Sequence, residues 1–66
     1  MIEITTAELE RLIDLWVFSK RDREIMKLKL IDGFTYEQIA EETDLSVAQT
    51  KRIVKKWRTE LLKHLK

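Results

Sequence analysis

Between Thr35 and Leu62 two apolar repeats of helical period are separated by only three residues, Asp44, Leu45 and Ser46. This feature restricts the chain more than any other. A connection that short forces two helices to meet at an angle and to bury one another's inner faces. The first repeat opens at Thr35, an N-cap with Gln38 three residues on, and runs from Tyr36 to about Thr43. Ile39 and Ala40 look inward, and Ala40 is small enough for a close helix crossing. Asp44 sits at the turn, where Asp tolerates a left-handed backbone better than most residues other than Gly. Leu45 plugs the angle and Ser46 caps the next helix, expected from Val47 to about Leu65 and roughly 28 Å long at 1.5 Å per residue.

Two more helices are expected upstream. Thr5 is an N-cap with Glu8 in the capping-box position. Leu9, Leu12, Ile13, Trp16 and Val17 then form one amphipathic stripe ending near Phe18. Ser19, with Asp22 three residues on, opens a helix over Arg21 to Ile31 that turns Ile25, Met26 and Leu28 inward, with Ile31 at the edge of that arc. Asp32-Gly33 ends it, with the lone Gly suited to a left-handed position. Pro is absent, which also favours helices over a β-rich fold. The expected architecture is all-α: a compact four-helix domain over residues 1–66, containing a helix-turn-helix with a long C-terminal recognition helix. Residues 1–18 form a support helix, and residues 19–66 form the remainder.

Sixty-six residues make a single small core. Without Cys, neither a disulfide nor a thiolate metal site supports it, and one His is too few for zinc. Stability must come from well-packed helices or from a partner chain over an apolar face. No apolar run approaches the ~20 residues of a membrane span, and no signal peptide is evident. A cytoplasmic location without membrane association is expected, and no cofactor or metal is implied. An enzyme is not expected, because a nucleophile–base pair, a phosphate-cradling Gly loop and a metal cluster are all missing from the sequence.

The net charge of +1 conceals a sharp distribution. Residues 1–18 carry four acids and one base (−3), and residues 19–33 five bases and three acids (+2). Residues 34–46 carry four acids and no base (−4), and residues 47–66 seven bases and one acid (+6). A positive end this concentrated suits a polyanion on one side of the molecule. The plain alternative is a solvated helix face.

In the last helix, Thr50, Ile53, Trp57 and Leu61 trace an inward stripe that Val54, Leu62 and Leu65 widen. Its far end is expected to pack on the first helix, with Trp57 near Trp16, or to pair with a second chain. Val47, Ala48, Gln49, Lys51 and Arg52 then remain outward at the N-terminal end, as a major-groove reading head requires. Arg52 has the fork to pair with guanine O6 and N7, and Gln49 the amide to pair with adenine N6 and N7. Val47 and Ala48 suit thymine methyl groups. Lys51, Lys55 and Lys56 also suit phosphates, as point charges without fork geometry. Ser46 and the first free N–H groups of the helix suit a phosphate as well. Trp57 is expected in the core, and His64 as a solvated side chain near a helix C-terminus.

The run from Arg21 to Leu62 resembles region 4 of the bacterial sigma-70 family, and is similar to related domains of small phage and response-regulator proteins. The resemblance rests on Arg23-Glu24-Ile25, Leu28, Gly33, Thr35-Tyr36, Glu37-Gln38-Ile39-Ala40, Leu45-Ser46 and the basic helix after them. It implies duplex DNA binding in transcription. It places Val47, Ala48, Lys51 and Arg52 toward the major groove, and Thr35 and Tyr36 at the phosphate backbone. Asp44 departs from the Gly of many relatives, and Thr50 from the usual aliphatic residue. No sigma region 2 is present, so promoter melting by this chain alone is not expected. Two functions compete: a sequence-specific DNA-binding regulator, with a homodimer on a two-fold site as the usual route to affinity, and a protein-interaction module that binds RNA polymerase, a sigma factor or another regulator. The +6 segment favours the first, and the apolar and acidic first helix the second.

Overall fold

A computed structural model describes residues 4–64. Four helices follow one another: α1 (Thr6–Trp16), α2 (Lys20–Leu30), α3 (Tyr36–Thr43) and α4 (Val47–Lys63). The described residues contain no strand. All four helices begin on a cap visible in the sequence. Thr5, Ser19, Thr35 and Ser46 hold extended backbone angles, and each accepts a hydrogen bond from the amide three residues on. The box is reciprocal at Thr5, Thr35 and Ser46. At Ser19 it is one-sided, because the Asp22 carboxylate is engaged elsewhere, by Trp57 and Arg21.

Helix ends shift slightly from the sequence expectation. The chain turns extended at Val17, so α1 stops at Trp16 and Phe18 lies in the link. Helix α2 begins one residue early, at Lys20, and ends one residue early, at Leu30. Gly33 takes a left-handed φ of 74° two residues past the Ile31 cap. Helix α4 runs to Lys63, and the expected role of Leu65 lies outside the described residues.

The turn between α3 and α4 is closed by backbone bonds. Asp44 adopts φ 62° and ψ 31°, and its N–H donates to Ala40 O. The Leu45 N–H donates to the same carbonyl at 3.0 Å. This left-handed closure is usually given to Gly; here Asp supplies it, and it sets the angle at which α4 departs.

One core joins all four helices. Ile13 and Val17 from α1 and its cap meet Ile25 and Met26 of α2, Ile39 of α3, and Val54, Trp57 and Leu61 of α4. Burying each such side chain contributes about 1.5–3 kcal/mol. Thr50 is fully buried among them, and its hydroxyl donates to Ser46 O at 3.0 Å, so its one polar group is satisfied. Ile53, expected on the inward stripe, is only half-buried.

Three expectations for the apolar residues fail. Trp16 is 37% exposed and stacks on the His64 ring, with centroids 3.7 Å apart and planes nearly parallel. Trp57 instead meets Phe18 edge-on, at 6.1 Å. Leu62 is 60% exposed, since the buried arc of α4 narrows to Trp57 and Leu61 at that end. On the other side of α1, Asp14 pairs with Lys27 of α2 at 2.9 Å. Both are partly solvated, so the pair contributes about 0–1 kcal/mol.

Candidate nucleic-acid interface

The buried residues of α4 decide which of its side chains are free. Thr50, Val54, Trp57 and Leu61 recur at helical spacing and lock one face inward. Ala48, Gln49, Lys51, Arg52, Lys55, Lys56 and Arg58 are consequently exposed, and Val47 is half-buried against the turn. Four of these cations form one wall. Lys51, Arg52, Lys55 and Arg58 line a single open concavity together with Tyr36, from the first turn of α3.

Tyr36 organises that concavity. Lys29 Nζ lies 4.3 Å from the centre of its ring and Lys51 Nζ 5.7 Å from it. Lys29 also donates to Phe34 O at 3.2 Å, which anchors it to the α2–α3 link. Cations over a ring face gain about 0.5–1 kcal/mol at exposed sites. The aromatic ring therefore gathers positive charge from two helices beside the N-terminus of α3. Thr35 caps that helix through a reciprocal pair with Gln38: Thr35 N donates to Gln38 Oε1 at 2.8 Å, and Thr35 Oγ1 accepts from Gln38 N at 3.1 Å.

A second concavity opens at the start of α4, lined by Arg21, Leu45, Gln49, Arg52 and Ile53. Arg52 borders both hollows and so joins them. Arg21 is held there by its neighbour: its Nε lies 3.3 Å from Asp22 Oδ1, while its side chain stays largely exposed.

Ser46 and Gln49 are bound to each other. Gln49 N donates to Ser46 Oγ at 3.1 Å, and Ser46 N donates to Gln49 Oε1 at 3.1 Å. The Ser46 hydroxyl lies 3.2 Å from the same Oε1.

Of the sequence-expected site residues, Tyr36, Lys51, Arg52 and Lys55 are brought together in one hollow, with Thr35 adjoining Tyr36 as its cap. Val47, Ala48, Ser46 and Gln49 lie at the N-terminal end of the same helix. Lys56 stands apart, leaning over the Trp57 ring at 4.8 Å. Arg58 belongs to the hollow and was missed, although its spacing of three from Lys55 and seven from Lys51 places it on their face. Lys29 and Arg21 owe their positions to tertiary packing, which spacing alone does not reveal. Among the described residues, no group of His, Cys, Asp or Glu is placed to hold a metal ion, and no helix is long and apolar enough to cross a membrane.

The family described as Sigma-70, region 4 matches the chain over residues 19–61. No curated protein and no solved structure gives a significant match. The matched span begins at the Ser19 cap and ends at Leu61, the last buried residue of α4. It therefore includes the helix-turn-helix and both hollows, and leaves α1 outside.

Proposed function

Because the chain belongs to the sigma-70 region 4 family, a non-enzymatic DNA-binding helix-turn-helix family, we propose that it is a sequence-specific, duplex DNA-binding regulator of transcription. The observation that carries this reading is the joining of Lys51, Arg52, Lys55 and Arg58 with Tyr36 in one exposed hollow. A wall of cations on the outer face of a helix whose inner face is locked suits a helix laid along a groove.

In this reading the first turns of α4 enter the major groove. Val47 and Ala48 meet thymine methyl groups, Arg52 pairs with guanine, and Gln49 and Lys51 reach base edges. Thr35, Tyr36, Ser46, Lys55 and Lys56 hold the phosphates, with Arg58 as an addition. One module of this size covers few base pairs, so a homodimer on a two-fold site supplies the remaining affinity. The protein acts in the cytoplasm, where bacterial or phage DNA is found.

A second reading rests on a different surface. Leu15, Phe18 and Leu62 are 57%, 74% and 60% exposed, high values for large apolar side chains. The family binds RNA polymerase as well as DNA. A contact to polymerase, a sigma factor or another regulator through such residues is compatible with DNA binding on α4.

Selection from randomised duplexes tests the first reading. A recovered motif, relaxed at one position by Arg52→Ala and weakened uniformly by Lys55→Ala, is the expected result. Recovery of no motif, with polymerase or sigma-factor binding intact, favours the second.

A further inference from the structure

We propose that Gln49 acts as the clamp of the recognition-helix cap and offers only its amide N–H groups to DNA, so that it selects guanine at least as well as adenine. The inference deepens the DNA-binding reading and rests on it.

The chemistry follows from the cap. A side-chain amide that reads adenine bidentately donates from Nε2 to N7 and accepts at Oε1 from the N6 amino group. In this protein Oε1 already has two donors. Ser46 N lies at 3.1 Å and the Ser46 hydroxyl at 3.2 Å. A carbonyl oxygen has two lone pairs, and both are taken. The identity of the atom is fixed by its partner, since a backbone N–H needs an acceptor and only the oxygen of the amide can be one. Ser46 Oγ in turn accepts from Gln49 N at 3.1 Å, so the pair closes on itself.

Among the described residues, the Gln49 NH2 group has no hydrogen-bond partner, and it sits on an exposed side chain that lines the hollow with Arg21 and Arg52. Its protons meet N7 and O6 of guanine, both acceptors. On adenine they meet N7 but face the N6 donor. Reading adenine through both atoms requires opening the cap at the point where α4 leaves the turn. The same residue therefore positions the helix and narrows its own reading.

The test compares Gln49→Glu with Gln49→Ala in the full chain. Glu is the usual partner in a capping box and keeps the acceptor, but it has no N–H. Thermal unfolding of Gln49→Glu should match the original within about 1 °C or exceed it, while Gln49→Ala should fall by about 2–6 °C. A clear loss in Gln49→Glu, or none in Gln49→Ala, overturns the clamp. Duplex affinities are then measured for all four base pairs at the position where Gln49→Ala changes the preference. The original chain should bind the guanine duplex as tightly as the adenine duplex or more tightly, and Gln49→Glu should lose that preference.

Adenine favoured over guanine by tenfold or more, within the discrimination of a bidentate pair, overturns the inference while leaving the DNA-binding reading in place. A site at which Gln49→Ala changes no preference overturns the base contact and leaves the clamp to the unfolding data. No binding of the original chain to any duplex removes the DNA-binding reading, and this inference with it.

Discussion

Trp57 Nε1 donates to Asp22 Oδ2 at 2.8 Å, a buried bond between residues 35 apart in the chain that fastens α4 to the first turn of α2. Asp22 is 7% exposed, and Arg21 gives its other oxygen a charged neighbour at 3.3 Å. The carboxylate also sits at the N-terminus of α2, where negative charge is favourable. The bond thus joins α4 to the scaffold about two-thirds of the way along the helix.

Trp57→Phe keeps most of the ring and removes the donor. A buried carboxylate oxygen then loses its strongest partner, at a cost of about 1.5–3 kcal/mol. Chemical denaturation should show a lowered midpoint with an unchanged slope. An effect below about 0.5 kcal/mol would mean that the bond contributes little.

Asp44 predicts a gain in stability. Its φ of 62° is left-handed, a conformation that costs a residue with a Cβ more than it costs Gly. Asp44→Gly should stabilise the fold by about 0.5–1 kcal/mol after the entropy of Gly is counted. Asp44→Asn removes the charge beside α4 at little conformational cost, so it should tighten duplex binding with little change in melting temperature. Tightening by Asp44→Gly alone would point to geometry instead of charge.

Thr50→Val tests whether a hydroxyl is needed in the core. Thr50 is fully buried, and Ser46 O accepts from both its Oγ1 and its backbone N–H. Removing the hydroxyl leaves that carbonyl with one partner, so nothing is orphaned. Stability should stay level or rise, by up to about 1 kcal/mol. A loss above 1 kcal/mol would show that the hydroxyl fixes the first turn of α4.

Arg58→Ala and Lys27→Ala separate the charges of the hollow from those of the scaffold. Arg58 lines the hollow with Tyr36, whereas Lys27 pairs with Asp14 away from it. Arg58→Ala should weaken every duplex severalfold, and Lys27→Ala should leave affinity nearly unchanged. Equal losses would mean that net charge alone sets affinity.

Most of the fold was legible because its signals are local. Thr5, Ser19, Thr35 and Ser46 announce helix starts within four residues of sequence, and the structure places a helix after each. The turn at Asp44 was legible from its residue type. What escaped depends on distance or competition. The Trp57–Asp22 bond spans 35 residues and leaves no pattern in the chain. Trp16 and Leu62 have helical spacing suited to burial, but each lies at the margin of a narrow arc, and spacing does not state the width of that arc. In the hollow, the spacing of Lys51, Arg52 and Lys55 is enough to put them on one face of α4, whereas Lys29 reaches Tyr36 only through packing of α2 on α3. Gln49 stands three residues after Ser46, so the cap it closes is legible in the same four residues.

The most direct test of DNA binding through α4 is the salt dependence of duplex affinity. Lys51, Arg52, Lys55, Lys56 and Arg58 are all exposed on that helix. With Lys55, Lys56 and Arg58 on phosphates, a plot of log K against log salt should fall with a slope of about −3 for each bound chain, and Lys55→Ala should make it shallower by about 1. A slope near zero, or no duplex binding at low salt, would contradict the account.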